Sequence, residues 1–281
     1  MSALFYFLIC YCVSARADIM ELPVPPPKYS TKPLVEIAVA GGLGYVPDYP
    51  ASNQGRMRYL VFPSMFLRGK VLRNDDEDGS RARIFNDPRF ALELSASGSF
   101  PVESGDNRAR FGMDDLEWLG ELGPRLFYSV YADEKNSWRV SIAARAAAST
   151  DTKKITYRGL TFIPAIAYDR KQVWGEHVYF SARLAPEWAS KELTSYWYSV
   201  SDKDATISRP AYSARAGYME TWVSASLGYE NGRYGFYAGG GMDMHDGSAN
   251  QSSPLFKERI TFAGFAGFRY FFYKSEARGY N

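Results

Sequence analysis

Cysteine is almost absent from this chain of 281 residues. Its two cysteines, Cys10 and Cys12, both lie in an apolar stretch at residues 3–13, which resembles the hydrophobic core of a secretory signal. A mature chain that has lost this stretch contains no cysteine. Disulfide bonds and thiol chemistry are therefore excluded from the exported protein.

The end of the apolar stretch carries a cleavage signal. Ala15 and Ala17 give the small-x-small pattern, which predicts a signal peptide over residues 1–17 and cleavage between Ala17 and Asp18. The following residues, 18–33, are rich in proline, and we expect them to form an extended periplasmic lead-in.

Excess charge and long apolar runs are also missing. The chain has 33 basic and 31 acidic residues, and this balance gives no indication of a basic surface that binds nucleic acid. Beyond the leader, no apolar run approaches the roughly 20 residues of a transmembrane helix. If the chain crosses a membrane, it must do so with strands, in which polar and apolar residues alternate.

Residues typical of catalytic and metal sites are scarce. The two histidines, His177 and His245, are far apart and no cysteine accompanies them, so a structural zinc site is not expected. Nothing in the spacing around His245 indicates an oriented Ser–His–acid triad. The acidic run at residues 74–79 lacks the ligand spacing of a calcium-binding loop. We predict no catalytic, metal or cofactor-binding residue, and no enzymatic activity.

Aromatic residues are abundant, at 16% of the chain, and period-2 alternation recurs along it. Both features favour strands, and aromatic residues also line the two interfaces of membrane barrels. The clearest alternation is at residues 260–272, where one face carries Ile260, Phe262, Gly264, Ala266, Phe268, Tyr270 and Phe272. We predict ten strands, near residues 34–43, 58–72, 82–99, 117–130, 138–149, 157–168, 177–190, 217–229, 233–243 and 260–273.

The connections alternate in length, which is typical of bacterial outer-membrane barrels. The four short ones are at residues 73–81, 131–137, 169–176 and 230–232. Lipid cannot hydrogen-bond a backbone amide, so a spanning sheet must close on itself. We predict an all-β fold: a closed antiparallel transmembrane β-barrel over residues 34–273, followed by a tail at 274–281. It would have about ten strands, and up to twelve if Pro88 divides the segment 82–99.

Charged residues fall on the inward faces of the predicted strands. They form a lumen charge network of six basic and six acidic residues: Glu36, Arg89, Glu93, Glu121, Arg125, Arg139, Arg145, Arg183, Glu187, Glu220, Asp243 and Arg269. Such a set can pair across the lumen as a self-neutralised polar core. The alternative, a selective ion path, usually shows an excess of one sign.

Short motifs spread over the mature chain resemble the MipA/OmpV family of outer-membrane proteins, named for the MltA-interacting protein. These motifs are Gly41-Gly42-Leu43-Gly44, Pro47-Asp48-Tyr49-Pro50-Ala51-Ser52, Phe66-Leu67-Arg68-Gly69, Leu119-Gly120-Glu121-Leu122-Gly123, Tyr196-Trp197-Tyr198-Ser199-Val200-Ser201 and Pro210-Ala211-Tyr212. The family usually has glycine where Ala51 and Ser199 stand here.

The resemblance implies a multi-pass barrel in the cell outer membrane, with outer-membrane lipid around it and no conserved active residue. Some members are scaffolds that join a murein transglycosylase to a murein synthase, and this is the function that we expect first. The alternatives are a narrow channel for small solutes or antibiotics and a surface adhesin. An adhesin could act through Tyr196, Trp197 and Tyr198 in a surface loop, unless these aromatics form the interfacial girdle. The oligomeric state is not indicated.

Overall fold

The structure is a computed structural model that describes residues 33–68, 72–75, 79–82 and 89–278. The predicted signal peptide, its cleavage site at Ala17 and Asp18, and all of the lead-in except Pro33 lie outside these residues. Within them, no helix is both long enough and apolar enough to span a membrane.

The regular structure of the described chain consists almost entirely of strands. Their bounds are β1 Val35–Pro47, β2 Gly55–Arg68, β3 Leu72–Asp75, β4 Gly79–Ala82, β5 Phe90–Ser99, β6 Trp118–Ala132, β7 Asn136–Thr150, β8 Ile155–Lys171, β9 Val178–Ala189, β10 Gly217–Asn231, β11 Tyr234–Met244 and β12 Ile260–Lys274. One short α-helix, α1, spans Lys191–Tyr198. Turns of 3₁₀-helix lie at Ser104–Asp106 and Asp202–Asp204.

Every ladder of the sheet is antiparallel. The paired strands follow the order β1-β12-β11-β10-β9-β8-β7-β6-β5-β4-β3-β2, and β1 also pairs with β2. The first and last strands pair from Glu36↔Lys274 to Tyr45↔Gly264, so the two ends of the barrel segment are joined along most of their length. The prediction of an antiparallel all-β fold is confirmed.

The segment between β2 and β5 differs from the prediction. The expected short turn at residues 73–81 contains a hairpin of two four-residue strands, β3 and β4. The Asn, Asp and Gly residues at 74–79 favour such a hairpin because they suit tight turns. Within the described ranges, β3 pairs with β2 at Leu67 and Arg68 only, and it pairs with β4 along its length. Among the described residues, no ladder joins the stretch 55–62 of β2 to β5.

The two faces of the wall differ as the alternation predicts. On β7, Trp138, Val140 and Ile142 are exposed, while Arg139 and Arg145 are buried. Large apolar side chains therefore point outward, where lipid can cover them, and polar or small ones fill the interior. The outward belt continues on the other strands with Leu126, Leu160, Phe162, Ile166, Leu184, Trp188, Phe236, Phe262 and Phe268.

The longer connections pack together into a cap over one end of the barrel. Because β1 enters from the predicted periplasmic lead-in, this is the predicted extracellular end. The cap is a hydrophobic core of its own, to which α1 contributes Leu193, Trp197 and Tyr198. Its other members are Tyr49, Ala51, Val102, Leu116, Leu119, Ala147, Ala189, Val200, Ala214, Met219 and Leu255. The predicted loop at 191–216 is therefore partly helical and packed.

Candidate functional site

A cavity of about 440 Å³ lies inside the barrel, beneath the cap. Residues of β1, of β2 and of β5 to β12 line it, and we call it the chamber. Its lining combines arginines, carboxylates, serines and aromatic rings, with Phe127 and Trp222 among the rings. A cavity of this size, with a few charged groups pointing into it, is typical of a small-molecule site.

Two buried ion pairs fix part of the wall. An Arg139 Nη2 lies 2.6 Å from an Asp169 carboxylate oxygen, and both side chains are almost completely buried. Ser181 donates a second hydrogen bond of 2.6 Å to Asp169. Nearer the cap, Arg145 lies 3.6 Å from Glu121 and donates a 2.9 Å hydrogen bond to Ser95. These contacts neutralise charges that are costly to bury alone.

Other arginines lie over aromatic rings. The Arg125 guanidinium is 4.3 Å from the centre of the Phe127 ring, and that of Arg183 is 5.8 Å from Trp222. Arg269 lies 4.9 Å from Phe66, towards the periplasmic end. Each ring face attracts the cation and also fills space beside it, so the interior is packed as well as charged.

The acidic side chains collect under the cap. Glu187 of β9 and Glu220 of β10 are directly opposite each other in the ladder, and Asp243 of β11 is opposite Trp222. All three carboxylates line the chamber. On β9 the arginine, Arg183, is four residues further from the cap than Glu187. The chamber thus has an acidic end at the cap and a basic zone deeper in the barrel.

His245 joins the cap to the wall. It is completely buried, and its Nε2 accepts a 3.2 Å hydrogen bond from the backbone N–H of Ala51. Thr261 Oγ1 is 3.0 Å from the same nitrogen. An accepting Nε2 places the proton of the neutral ring on Nδ1, which lies 3.2 Å from a Glu220 oxygen. No serine hydroxyl among the described residues bonds to this ring, so the geometry contains no Ser–His–acid triad.

The burial of His245 predicts that the stability of the cap depends on pH. Burial lowers the pKa of His245 to about 4, from 6.5, with smaller opposing effects from the Met219 backbone and Asp246. The neutral ring therefore stabilises the fold fully above pH 6.5, and this stabilisation, about 3 kcal/mol, is lost as the pH falls towards 4. We expect the thermal unfolding midpoint in detergent to drop over this range. His245→Gln, which does not titrate, should show a flatter profile; equal slopes would contradict the assignment.

The predicted lumen residues fall into three groups. The structure brings nine of them into the interior: Glu36, Glu121, Arg125, Arg139, Arg145, Arg183, Glu187, Glu220 and Asp243, of which Glu36 pairs with Lys274 near the periplasmic end. Arg269 is also buried there. Arg89 instead is exposed, just before β5, and does not lie in the chamber. The side chain of Glu93 lies outside the described part of the structure.

The expectation that the loop aromatics are exposed contacts is wrong for two of them. Trp197 is 3% exposed and Tyr198 is completely buried, because α1 turns both into the cap core. Tyr196 is partly buried, and its hydroxyl donates to the Glu117 carbonyl oxygen at 3.1 Å. These side chains hold the cap together and are neither an adhesive surface nor a girdle facing lipid.

The structure adds three interior residues, two of them in the lining of the chamber, to those predicted from the sequence. Asp169 was assigned to a turn, although it is the buried partner of Arg139. Trp222 lies on the inward face of β10, but the predicted lumen residues were chosen by their charge, so an aromatic residue was not included. Arg58 bonds the Pro101 carbonyl oxygen at 2.8 Å across the break between β2 and β5. Alternation within β8 and β10 could have identified the first two.

Comparison with known proteins places the chain in a family. The family model described as "MltA-interacting protein MipA" matches residues 39–272, which include every strand of the barrel except the ends of β1 and β12. The chain belongs to the MipA family. Together with its apolar outer belt, this makes the MipA-family protein a β-barrel protein of the cell outer membrane. No curated protein matches the sequence significantly.

Several solved outer-membrane structures are distantly similar to this MipA-family chain. An outer-membrane channel from Pseudomonas putida F1 is 11% identical, with a TM-score of 0.46, and the match covers 90% of this chain and all of that one. OmpT of Vibrio cholerae is 9% identical, with a TM-score of 0.36 and coverage of 86% and 99%. A FadL homologue of Pseudomonas aeruginosa is 9% identical, with a TM-score of 0.32 and coverage of 86% and 91%.

Proposed function

We propose that this protein is a non-catalytic scaffold: a closed barrel in the outer membrane that binds a murein transglycosylase at its periplasmic end. The packed cap carries the proposal, because a hydrophobic core over the extracellular end favours a closed barrel over an open pore. The description of the family as MltA-interacting supports the choice of partner. The lead-in at residues 18–33 and the short turns between strands are the parts that such an enzyme could reach.

One periplasmic turn offers an apolar contact. Trp174, between β8 and β9, is 76% exposed, and the neighbouring residues Gly175, Glu176 and His177 are exposed too. Exposed tryptophan is the side chain that contributes most often to binding hot spots. In this proposal Trp174 inserts into the bound enzyme.

The test is binding of a purified murein transglycosylase to the detergent-solubilised mature chain. We expect Trp174→Ala to weaken binding at least tenfold, which corresponds to about 1.4 kcal/mol. Ile207→Ala is the matched control, since Ile207 is a fully exposed apolar side chain at the opposite end. Absence of binding by the unaltered chain would refute the proposal. Equal loss in both variants would refute the assignment of Trp174.

A narrow channel is the second candidate, and the charged chamber favours it. The two functions differ in planar bilayers. A scaffold with a packed cap leaves the bilayer silent, whereas a channel conducts and its conductance changes in Arg183→Ala. Steady conductance of the unaltered protein would therefore favour the channel over the scaffold.

A further inference from the structure

The acidic end of the chamber has more negative than positive charge: Arg145 and Arg183 lie within electrostatic range of Glu187, but Arg145 also pairs with Glu121. Glu187 and Glu220 are opposite each other across the β9–β10 ladder, an arrangement that destabilises a sheet when both carry charge. Their neighbour Asp243 accepts a 3.3 Å hydrogen bond from Thr261, which is uncharged. The ring of His245 is neutral at pH 7, so it adds no positive charge.

A buried tyrosine of the cap lies near these carboxylates. Tyr198 is completely buried, and its hydroxyl has no hydrogen-bond partner among the described residues. The hydroxyl is within electrostatic range of Glu220, Glu187 and Asp243. A buried hydroxyl without a partner is costly, so this group, together with the carboxylates, points to a missing ligand.

The chemistry of these groups suits an ammonium group better than a metal ion. No set of three His, Cys, Asp or Glu side chains in the described ranges has the geometry to hold a metal. A primary ammonium has three N–H donors that can be shared among several carboxylate oxygens, without a tight coordination shell. Trp222, between the acidic and basic zones, adds an aromatic face.

The basic zone provides a partner for a second, negative group. Arg183 lies on the inner face of β9, four residues from Glu187, a rise of about 13 Å along the strand. Its Nε has no hydrogen-bond acceptor among the described residues. Because this Nε–H is free within the described residues, the Arg183 guanidinium can bind a carboxylate in a bidentate manner, through Nε and one Nη.

We propose that the chamber binds a short linear peptide with free ends. The N-terminal ammonium lies among Glu187, Glu220, Asp243 and Tyr198, and the C-terminal carboxylate lies at Arg183. Three or four extended residues cover this separation. The lining of the chamber extends to Tyr59 of β2, a side chain that is 86% exposed.

The first test compares three peptides by calorimetry with the full mature chain in detergent. Trialanine carries both end charges, N-acetyl-trialanine lacks the ammonium, and trialanine amide lacks the carboxylate. We expect trialanine to bind and each blocked peptide to bind at least tenfold more weakly. Equal affinities for the three peptides, or no heat of binding for any of them, would overturn the proposal.

Variants then locate the site. Glu187→Gln and Arg183→Gln should each weaken trialanine binding at least tenfold, and Tyr198→Phe, which keeps the ring, about fivefold. Each variant is first shown to be folded by heat-modifiability on a gel. Glu176→Gln is the control, because Glu176 is exposed in a periplasmic turn. Unchanged binding in the folded chamber variants, or an equal loss in the control, would refute the site. Neither result depends on whether the transglycosylase binds.

Discussion

Arg139→Leu is expected to destabilise the folded barrel by about 3–5 kcal/mol, because it removes the cation of a buried ion pair with the Asp169 carboxylate and leaves that pair broken. The pair is 2.6 Å apart, and its side chains are 3% and 1% exposed. Ser181 remains as a hydrogen-bond donor to Asp169 but supplies no charge. The measurement is the free energy of unfolding in urea, with the protein in lipid vesicles.

The double variant Arg139→Leu/Asp169→Leu provides the control for this pair. Replacing both partners by apolar residues removes the buried charges together, so most of the lost stability should return. A single variant as stable as the unaltered protein, or a double variant less stable than the single one, would show that the pair does not have this role.

Trp197→Ala is expected to loosen the cap while leaving the strands in place. Trp197 is 3% exposed within the cap core, and removing a buried tryptophan side chain costs about 3–5 kcal/mol. Its backbone oxygen also accepts a 3.3 Å hydrogen bond from Arg110, which this substitution keeps. We expect protease added to intact cells to cleave the cap loops much faster in this variant.

The matched control is Trp174→Ala, the same chemical change in an exposed periplasmic turn. It should leave the cleavage of the cap loops unchanged. Heat-modifiability should be retained in both variants, because neither side chain contributes to the strand ladders. Cap loops that resist protease equally in the Trp197 variant and the unaltered protein would contradict the role of the cap core.

The sequence predicts the strands well where their two faces meet different surroundings. The predicted strands at 138–149 and 217–229 correspond to β7 Asn136–Thr150 and β10 Gly217–Asn231, because alternation records which side faces lipid. The inward placement of Arg125, Arg139 and Arg145 follows from the same period. These conclusions need only the residues of a single strand.

The cap could not be predicted in this way, because its contacts join residues that are far apart in the chain. Tyr49 donates its hydroxyl proton to the Leu255 carbonyl oxygen, 206 residues away, and burial raises the pKa of that hydroxyl to about 12. No local pattern records such a contact. The sequence leaves the aromatic residues of α1 as either exposed contacts or an interfacial girdle, whereas in the structure Trp197 and Tyr198 pack into the cap core.

The same cap has a consequence for biogenesis. Ala51, in the connection after the first strand, receives backbone hydrogen bonds from Lys257 and Glu258, just before the last strand. The cap therefore joins the connection after β1 to the segment before β12, so these contacts exist only in molecules whose first and last connections have come together. An antibody that recognises this part of the cap would distinguish such molecules from those still being assembled.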